Sequence, residues 1–186
     1  MSATTNSSTI RFCPICGFGT DFRTPKGDSL PRHVCDNCSY INYQNPRLVV
    51  GCIAEYDGKI LLCRRAIEPR YGFWTLPAGF MENGETAAQG ALRETNEEAG
   101  ACVEIESAFA LYSIPHIHQV HLFYRGHLAN PTYAAGTESL EVKLFKPAEI
   151  PWRELAFHSV RLCLEHYLED RRVAKFSFHE AELPPL

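Results

Sequence analysis

The sequence lacks the features that would place it in a membrane or mark it for secretion. Its 186 residues contain no apolar run near the roughly 18 residues that a membrane-spanning helix needs. The longest apolar run, residues 48–54, has the length of a strand. The first ten residues have neither a basic region nor an apolar core, so we expect no secretory signal. These absences favour a cytoplasmic protein without a membrane partner.

An excess of positive charge is also missing. The formal net charge is −4, whereas proteins that hold nucleic acid by bulk electrostatics neutralise its phosphates with many Lys and Arg side chains. A small phosphate-bearing ligand is still compatible with this charge, provided that a cation mediates the contact. Because hydrophobic residues make up 45% of the chain, it has enough apolar surface for a sizeable core.

The composition changes along the chain and predicts four parts. Residues 1–10 form a Ser/Thr-rich tail that we expect to be mobile. Residues 11–45 are rich in cysteine and turn residues, which is typical of a small module. Residues 46–170 alternate between strand-like and helix-like patterns and predict a layered α/β domain. Residues 171–186 follow as a C-terminal extension.

Five strands are predicted in the larger domain. The first two flank Asp57-Gly58, a dipeptide typical of the tight turn in a β-hairpin. All five segments are rich in aliphatic or aromatic residues at strand-like spacing. They comprise residues 48–56, 59–66, 103–114, 120–128 and 139–145.

Two helices are predicted in the same domain. The first begins at Thr86, which has Gln89 three residues later in the pattern of a capping box, and it ends at Gly100. The second covers residues 152–170, where apolar residues form a stripe at helical spacing. We expect the first helix to pack on a sheet through four small or apolar residues. These are Ala88, Leu92, Thr95 and Ala99.

Four of the eight cysteines form two C-x-x-C pairs. Cys13 pairs with Cys16 and Cys35 with Cys38, and 18 residues separate the pairs. Zinc prefers four thiolates in a tetrahedron, which two such turns can supply. Redox chemistry or chance pairing is the alternative, but the paired spacing favours Zn²⁺. Because the protein supplies all four ligands, this zinc would be structural rather than catalytic.

Three glutamates are spaced for one face of the first helix. Glu94, Glu97 and Glu98 stand at positions i, i+3 and i+4. Carboxylates this close repel one another unless a cation lies between them, and oxygen ligands of this kind suit Mg²⁺ or Mn²⁺. For the three residues alone, a solvated acidic surface is the alternative. Gly90 costs roughly 1 kcal/mol relative to alanine inside a helix, so it indicates a close approach.

The surroundings of these glutamates resemble the Nudix box, a loop and helix of the form G-x5-E-x7-R-E-U-x-E-E-x-G-U, where U is a bulky aliphatic residue. Thr95 and Ala101 depart from the pattern, since the family prefers larger aliphatic residues there. The resemblance implies a Nudix α/β/α sandwich with a mixed sheet, preceded by a small N-terminal zinc ribbon. Seven fixed positions fall in register: Gly79, Glu85, Arg93, Glu94, Glu97, Glu98 and Gly100.

The resemblance implies that Glu94, Glu97 and Glu98 bind the catalytic divalent ions. The carbonyl of Ala78 or Gly79 would complete the ligand shell. In such enzymes the ions bridge the diphosphate, neutralise its charge and lower the pKa of an attacking water.

Other acidic and basic residues have implied roles beside the metal ligands. Arg93 and Glu85 would orient each other and hold the loop against the helix. A further acidic residue beyond the box commonly adds metal binding or acts as general base. Glu138 and Glu141 are the candidates, and we favour Glu138 because it lies where a loop meets a strand.

The order of motifs resembles plant-type FAD diphosphatases that contain a zinc ribbon. This resemblance implies hydrolysis of FAD or ADP-ribose, giving AMP plus FMN or ribose 5-phosphate. NADH diphosphatase or NAD-decapping activity is the alternative. Bacterial enzymes of that branch have a Ser-Gln-Pro-Trp-Pro-Phe-Pro array where this chain has SIPHIHQVHLFY. The shared motifs are YQNPRLVVGC, GFWTLPAGF, AAQGALRET, ESLEVKLF, EIPW and LAFHS.

Three residues are candidates for contact with a substrate. Trp74 and Phe80 flank the box and would stack on a flat ring, although core packing beside Leu76 is the alternative for Trp74. His118 is the candidate for contact with a sugar or a base edge. A second metal site is not indicated, because strand alternation would place neighbouring histidines on opposite faces. The histidines considered are His116, His118, His121 and His127.

A protein that senses ADP-ribose without cleaving it is a different class of hypothesis. The complete set of box glutamates argues against it. The ribbon segment balances four basic residues with three acidic ones, which gives no strong nucleic-acid footprint. We therefore expect a small nucleotide substrate as the partner, and the resemblance implies a homodimer.

Overall fold

The computed structural model describes residues 10–185. These residues divide into two compact units, one ending at Asn45 and the other beginning at Pro46. The tail predicted to be mobile, residues 1–10, falls outside the described residues except for Ile10. The division of the chain into four parts, which was predicted from the sequence, stays a prediction.

The first unit is a small antiparallel sheet of three strands. Its strands are β1 (Thr20–Arg23), β2 (Arg32–Cys35) and β3 (Ile41–Asn42). The buried side chains among its described residues are Cys13, His33, Val34 and Cys35. A core of this size contributes little stabilisation, so the module needs a further cross-link such as a bound metal ion.

The second unit is built on a mixed sheet. The strand order is β10-β5-β4-β9-β8-β11, with β6 beside β5 and β7 beside β4. The β4–β9 and β8–β11 pairs are parallel, and the other pairs are antiparallel. The strands are β4 (Arg47–Tyr56), β5 (Lys59–Arg65), β6 (Trp74–Thr75), β7 (Ala78–Phe80), β8 (Val103–Ile114), β9 (Gln119–Leu128), β10 (Ser139–Phe145) and β11 (His179–Glu182).

The five predicted strands are confirmed, and so is the hairpin turn between the first two. Asp57 and Gly58 have φ angles of 47° and 74°, as a two-residue turn of type I′ requires. Residues that alternate along β4 and β5 enter two different hydrophobic clusters. The sheet is therefore covered by apolar side chains on both faces.

A helix packs on each face of this sheet. Helix α1 (Ala87–Ala99) contributes to the cluster that contains Cys52 and Leu61, and α2 (His158–Arg172) to the cluster that contains Ile53 and Leu62. The predicted α/β/α sandwich with a mixed sheet is thus confirmed. Among residues 10–185, no helix combines the length and the apolar character needed to span a membrane.

The capping signals of α1 are confirmed in full. The side chain of Thr86 accepts from the backbone N–H of Gln89 at 3.2 Å, and the Gln89 side chain accepts from the N–H of Thr86 at 2.8 Å. Gly100 ends the helix with a φ of 57°. This left-handed conformation favours glycine because it has no Cβ.

The C-terminal third differs from the prediction in two places. The second helix begins at His158 rather than at residue 152, because Leu155 forms a bridge with Trp74 and the N–H of Ala156 donates to the Trp74 carbonyl. Within the predicted extension, β11 adds to the edge of the sheet. Its sequence, His-Glu-Ala-Glu, has no apolar alternation that could have predicted a strand.

Gly136 lies where the loop before β10 crosses the C-terminal end of α1. Its N–H donates to the carbonyl of Glu98 at 3.0 Å, and a Cβ added here would lie 1.7 Å from the carbonyl oxygen of Glu97. We expect Gly136→Ala to lower the free energy of unfolding by about 1–3 kcal/mol, because the two backbones must separate. Chemical denaturation measures the change.

The control for this prediction is Gly19→Ala, where an added Cβ meets no atom within 4 Å. This variant should unfold like the wild type. Equal stability of both variants would contradict the close packing of the loop on α1.

Candidate active site

The four paired cysteines converge in the first unit. The Sγ atoms of Cys13 and Cys38 are 3.7 Å apart, those of Cys16 and Cys35 3.5 Å, and those of Cys16 and Cys38 3.6 Å. A zinc–sulfur bond of about 2.3 Å in a tetrahedron gives sulfur–sulfur edges of about 3.8 Å, so the thiols fit one zinc ion. A hydrogen bond from the backbone N–H of Cys38 lowers the pKa of the Cys35 thiol to about 6.

In the second unit, Arg93 fastens the loop after β7 to helix α1. Its Nε and Nη2 donate to the two carboxylate oxygens of Glu85 at 3.0 and 2.8 Å, and Nη2 also donates to the carbonyl of Phe80 at 3.1 Å. Its Nη1 donates to Glu94 at 2.7 Å and to Glu97 at 3.1 Å. The hydrogen bonds from Arg93 to Glu85 hold the pKa of the Glu85 carboxyl down at about 2.

Two glycines let backbone and carboxylates approach closely. A Cβ on Gly79 would lie 2.3 Å from the carboxylate of Glu94, so β7 and α1 touch through this carboxylate. A Cβ on Gly90 would lie 2.7 Å from Glu85 and 2.9 Å from Val50. The close approach predicted at Gly90 is therefore confirmed.

The three box glutamates differ in burial, which argues against the alternative of an ordinary solvated acidic surface. Glu97 is exposed, Glu94 is partly buried and Glu98 is only 6% exposed. Glu98 accepts a hydrogen bond from the backbone N–H of Ala78 at 3.1 Å, and burial raises its pKa to about 8. Burial also raises the pKa of Glu94.

The packing face of α1 is rotated from the predicted one. Ala88 and Leu92 are only partly buried, although Leu92 packs against the cluster that contains Cys52 and Leu61, as predicted. The predictions for Thr95 and Ala99 are confirmed. The residues buried on this helix are Gly90, Ala91, Thr95, Glu98 and Ala99.

A cavity of about 760 Å³ opens beside these carboxylates, a size typical of sites for nucleotide-sized ligands. Glu94, Glu97 and Glu98 line it, and so does Glu138. The negative charge of Glu138 adds to the rise in the pKa of Glu94 and Glu98, after burial as the main cause. Glu141, the other acidic candidate, is outside the lining, and its carboxylate lies 4.0 Å from Arg64.

Of the substrate candidates, one lines the cavity and two do not. Phe80 is in the lining and 44% exposed. Trp74 is a core residue, 6% exposed, with its ring edge-on to Phe145 at 4.8 Å, so the packing alternative describes it. His118 lies outside the lining. It has a left-handed backbone conformation and directly follows a 3₁₀ turn over Pro115–Ile117. That turn breaks the strand alternation assumed for the histidines.

Three other histidines line the cavity, and no sequence pattern predicts that they meet there: His116, His121 and His158. His121 is 9% exposed, and its Nδ1 and Nε2 lie 3.0 Å from Ser159 Oγ and 2.9 Å from Gln119 Oε1. Burial lowers its pKa to about 4. The His121 imidazole is thus neutral at physiological pH and serves as a fixed hydrogen-bonding group in the wall.

Comparison with known proteins agrees with this geometry. Residues 45–165 match the family model for the NUDIX domain, and residues 11–44 match the model described as Nudix N-terminal, a zinc ribbon. The chain is also similar to a crystal structure of a NUDIX hydrolase from Nitrosomonas europaea. That likeness has 50% identity and a TM-score of 0.91, and it covers 94% of this chain and 99% of the other.

Two curated relatives differ in how much of their length is matched. An ADP-ribose pyrophosphatase from Methanocaldococcus jannaschii is 30% identical over 131 residues, which are 68% of this chain and 76% of that protein. A NAD-capped RNA hydrolase from Schizosaccharomyces pombe is 36% identical over 112 residues. This second match covers 52% of this chain but only 29% of the other protein.

The buried histidine gives a test by pH. We expect the His121 imidazole to titrate near pH 4 in the folded protein, because burial disfavours its charged form. Its ordinary pKa is 6.5, so between pH 6.5 and 4 the unfolded chain binds a proton that the folded chain does not. Acidification through this window therefore destabilises the fold, and stability is retained above it.

The measurement is an NMR titration of the imidazole protons, with His121→Gln as the control that assigns the resonance. An unperturbed midpoint near pH 6.5 would contradict the neutral, buried state of His121.

Proposed function

The chain belongs to the Nudix hydrolase family, and from this premise we propose that it cleaves the diphosphate of FAD or ADP-ribose. The products are AMP plus FMN or ribose 5-phosphate. The main support is the meeting of the box carboxylates with Glu138 on one nucleotide-sized cavity. Similarity to an ADP-ribose pyrophosphatase over 76% of that protein supports the ADP-ribose substrate.

NADH diphosphatase or NAD-decapping activity is the second candidate. It is supported by the similarity to a NAD-capped RNA hydrolase, of which the matched part is 29%. The absence of the Ser-Gln-Pro-Trp-Pro-Phe-Pro array argues for FAD or ADP-ribose instead. The proposed homodimer and the cytoplasmic location stay predictions.

Glu94, Glu97 and Glu98 are the proposed ligands of Mg²⁺ or Mn²⁺, with the carbonyl of Ala78 or Gly79 beside them. The donors are hard oxygens, as these ions prefer, and the backbone of β7 at Gly79 lies directly beside the Glu94 carboxylate. Ions bound here would neutralise the charge of the diphosphate and lower the pKa of the attacking water.

The remaining roles belong to residues around these ligands. Arg93 holds two of the carboxylates by direct hydrogen bonds, so we propose that it orients them for the ions. Glu138 is the proposed general base, because its carboxylate is exposed in the cavity. It is part of no ion pair with the described residues. Glu141 is a poorer candidate, since it is outside the cavity lining.

We also propose that the ribbon's four cysteines hold a structural Zn²⁺ ion. The tetrahedral sulfur spacing supports this, and so does the small core of the unit. With four thiolates bound, the ion has no open position for a substrate. The ribbon would then stabilise its own fold and take no part in the hydrolysis.

Product analysis tests the proposed hydrolysis. The full-length protein is incubated with ADP-ribose, FAD and NADH in turn, with Mg²⁺ or Mn²⁺, and the products are identified by mass spectrometry. We expect metal-dependent release of AMP, fastest from ADP-ribose or FAD, and its loss in Glu97→Gln. Glu138→Gln should lower kcat by about 10²-fold or more, as loss of a general base does, whereas Glu141→Gln should leave it unchanged.

Faster cleavage of NADH than of the other two would favour the second candidate. Tight binding of ADP-ribose without any AMP release would contradict hydrolysis and support a sensor. Equal effects of Glu138→Gln and Glu141→Gln would remove Glu138 as the base.

Metal analysis of the purified chain tests the zinc site. We expect one zinc ion per chain, and we expect its loss in Cys16→Ser because a tetrahedral site with three thiolates binds more weakly. The matched control is Cys102→Ser, which changes an exposed cysteine outside the cluster and should keep the zinc. Full zinc content in both variants would contradict the assignment.

A further inference from the structure

Arg65 is a buried cation that forms no ion pair with the described carboxylates. It ends strand β5 and is only 8% exposed. Its Nε donates to the carbonyl of Pro69 at 2.9 Å. Within the described part of the chain, no carboxylate oxygen lies within 4.0 Å of a guanidinium nitrogen of Arg65. Its positive charge acts on the carboxylate of Glu98 and lowers the pKa of that group, against the larger effect of burial, which raises it. Because a buried charge without a direct ion pair is costly, this guanidinium is suited to an anion that arrives with a ligand.

An aromatic ring holds the guanidinium in place. The centre of the Phe157 ring lies 5.1 Å from the guanidinium carbon of Arg65. A ring in contact with a guanidinium stabilises its charge. Only Nε is used in the bond to Pro69, and the two terminal nitrogens make no hydrogen bond to the described residues. These nitrogens can donate in parallel to two oxygens of one phosphate group.

Arg65 and Phe157 line the same cavity as the carboxylates of α1. Helix α2 begins immediately after Phe157, whose side chain gives no cap, so the first backbone N–H groups of the helix have no partner within it. His158 follows, and its Nδ1 is buried without a hydrogen-bond partner. One part of the cavity wall thus presents hydrogen-bond donors that suit an anion, while another part presents the carboxylates of α1, which suit cations.

We propose that Arg65 binds a phosphoryl group of the substrate, with Phe157 fixing the plane of its guanidinium. The inference rests on the proposed function for the identity of the ligand, a diphosphate ester. The ions would contact part of the charged diphosphate and Arg65 another part. Arg65 is therefore a binding residue, and lysine cannot replace its two parallel hydrogen bonds.

Two nucleotide fragments that contain no diphosphate serve as probes. AMP and ribose 5-phosphate each have one phosphate, so a diphosphatase cannot cleave them, and adenosine has none. Calorimetry measures their binding to the full-length protein in the presence of Mg²⁺. We expect Arg65→Met to raise the Kd of at least one phosphorylated probe by about tenfold or more and Arg65→Lys to raise it by less. If adenosine binds, its Kd should be the same for the variants as for the wild type.

The matched control is Arg64→Met, on the neighbouring residue of the same strand. The Arg64 side chain is 43% exposed, donates to the carbonyl of Gly72 at 2.9 Å and lies near Glu141. Its loss removes the same charge without touching the cavity lining, so phosphate binding should match the wild type. Thermal unfolding without ligand shows whether a variant has simply lost stability.

The outcomes separate this inference from the proposed function. If ADP-ribose and FAD are cleaved but Arg65→Met binds both phosphorylated probes as tightly as the wild type, the role of Arg65 is wrong and the hydrolysis stands. If neither substrate is cleaved but binding of a probe depends on Arg65, the phosphate site stands and the hydrolysis fails. Failure of the wild type to bind either probe better than adenosine would also overturn the proposal.

Discussion

The close packing of α1 against strands β4 and β7 decides where the acidic side chains of this protein lie. Gly90 brings the helix against Val50, and Gly79 brings β7 against the carboxylate of Glu94. At the other end of the helix, Gly136 lies against its last turn. Each contact leaves no room for a Cβ, so these glycines fix the helix relative to the sheet. As a result, Glu98 is turned inward and buried, whereas Glu97 stays exposed and Glu94 is only partly buried.

This packing creates an electrostatic cost that the rest of the site is arranged to offset. Burial raises the pKa of Glu98 to about 8, which means that its charged form is disfavoured until a cation compensates it. Arg93 offsets part of the negative charge through bonds to Glu94 and Glu97. Elsewhere in the cavity wall, Arg65 is a buried positive charge that forms no ion pair with the described residues, although it acts on Glu98 at longer range. A divalent ion and a phosphorylated ligand together would compensate both excesses.

Much of this architecture follows from local sequence signals. The capping box at Thr86, the stop at Gly100 and the hairpin turn at Asp57-Gly58 depend on neighbouring residues alone, and the structure shows each of them. The spacing of the box also located the glutamates on one helix. Local patterns could not predict that α2 starts at His158, nor that a polar segment forms β11, because distant parts of the chain decide both. The degree of burial of each carboxylate likewise depends on tertiary packing. So does the position of Arg65 and three histidines in the cavity wall.

The carboxylates of α1 are the proposed ligands of the divalent ions beside the cavity. Diffraction from crystals of the full-length protein soaked in Mn²⁺, recorded where manganese scatters anomalously, locates these ions directly. We expect an anomalous peak in direct bonding contact with oxygens of Glu94 and Glu98, with Glu97 within reach, and its loss in crystals of a Glu98→Gln variant. A manganese peak bound elsewhere, or none at these carboxylates, would contradict the account.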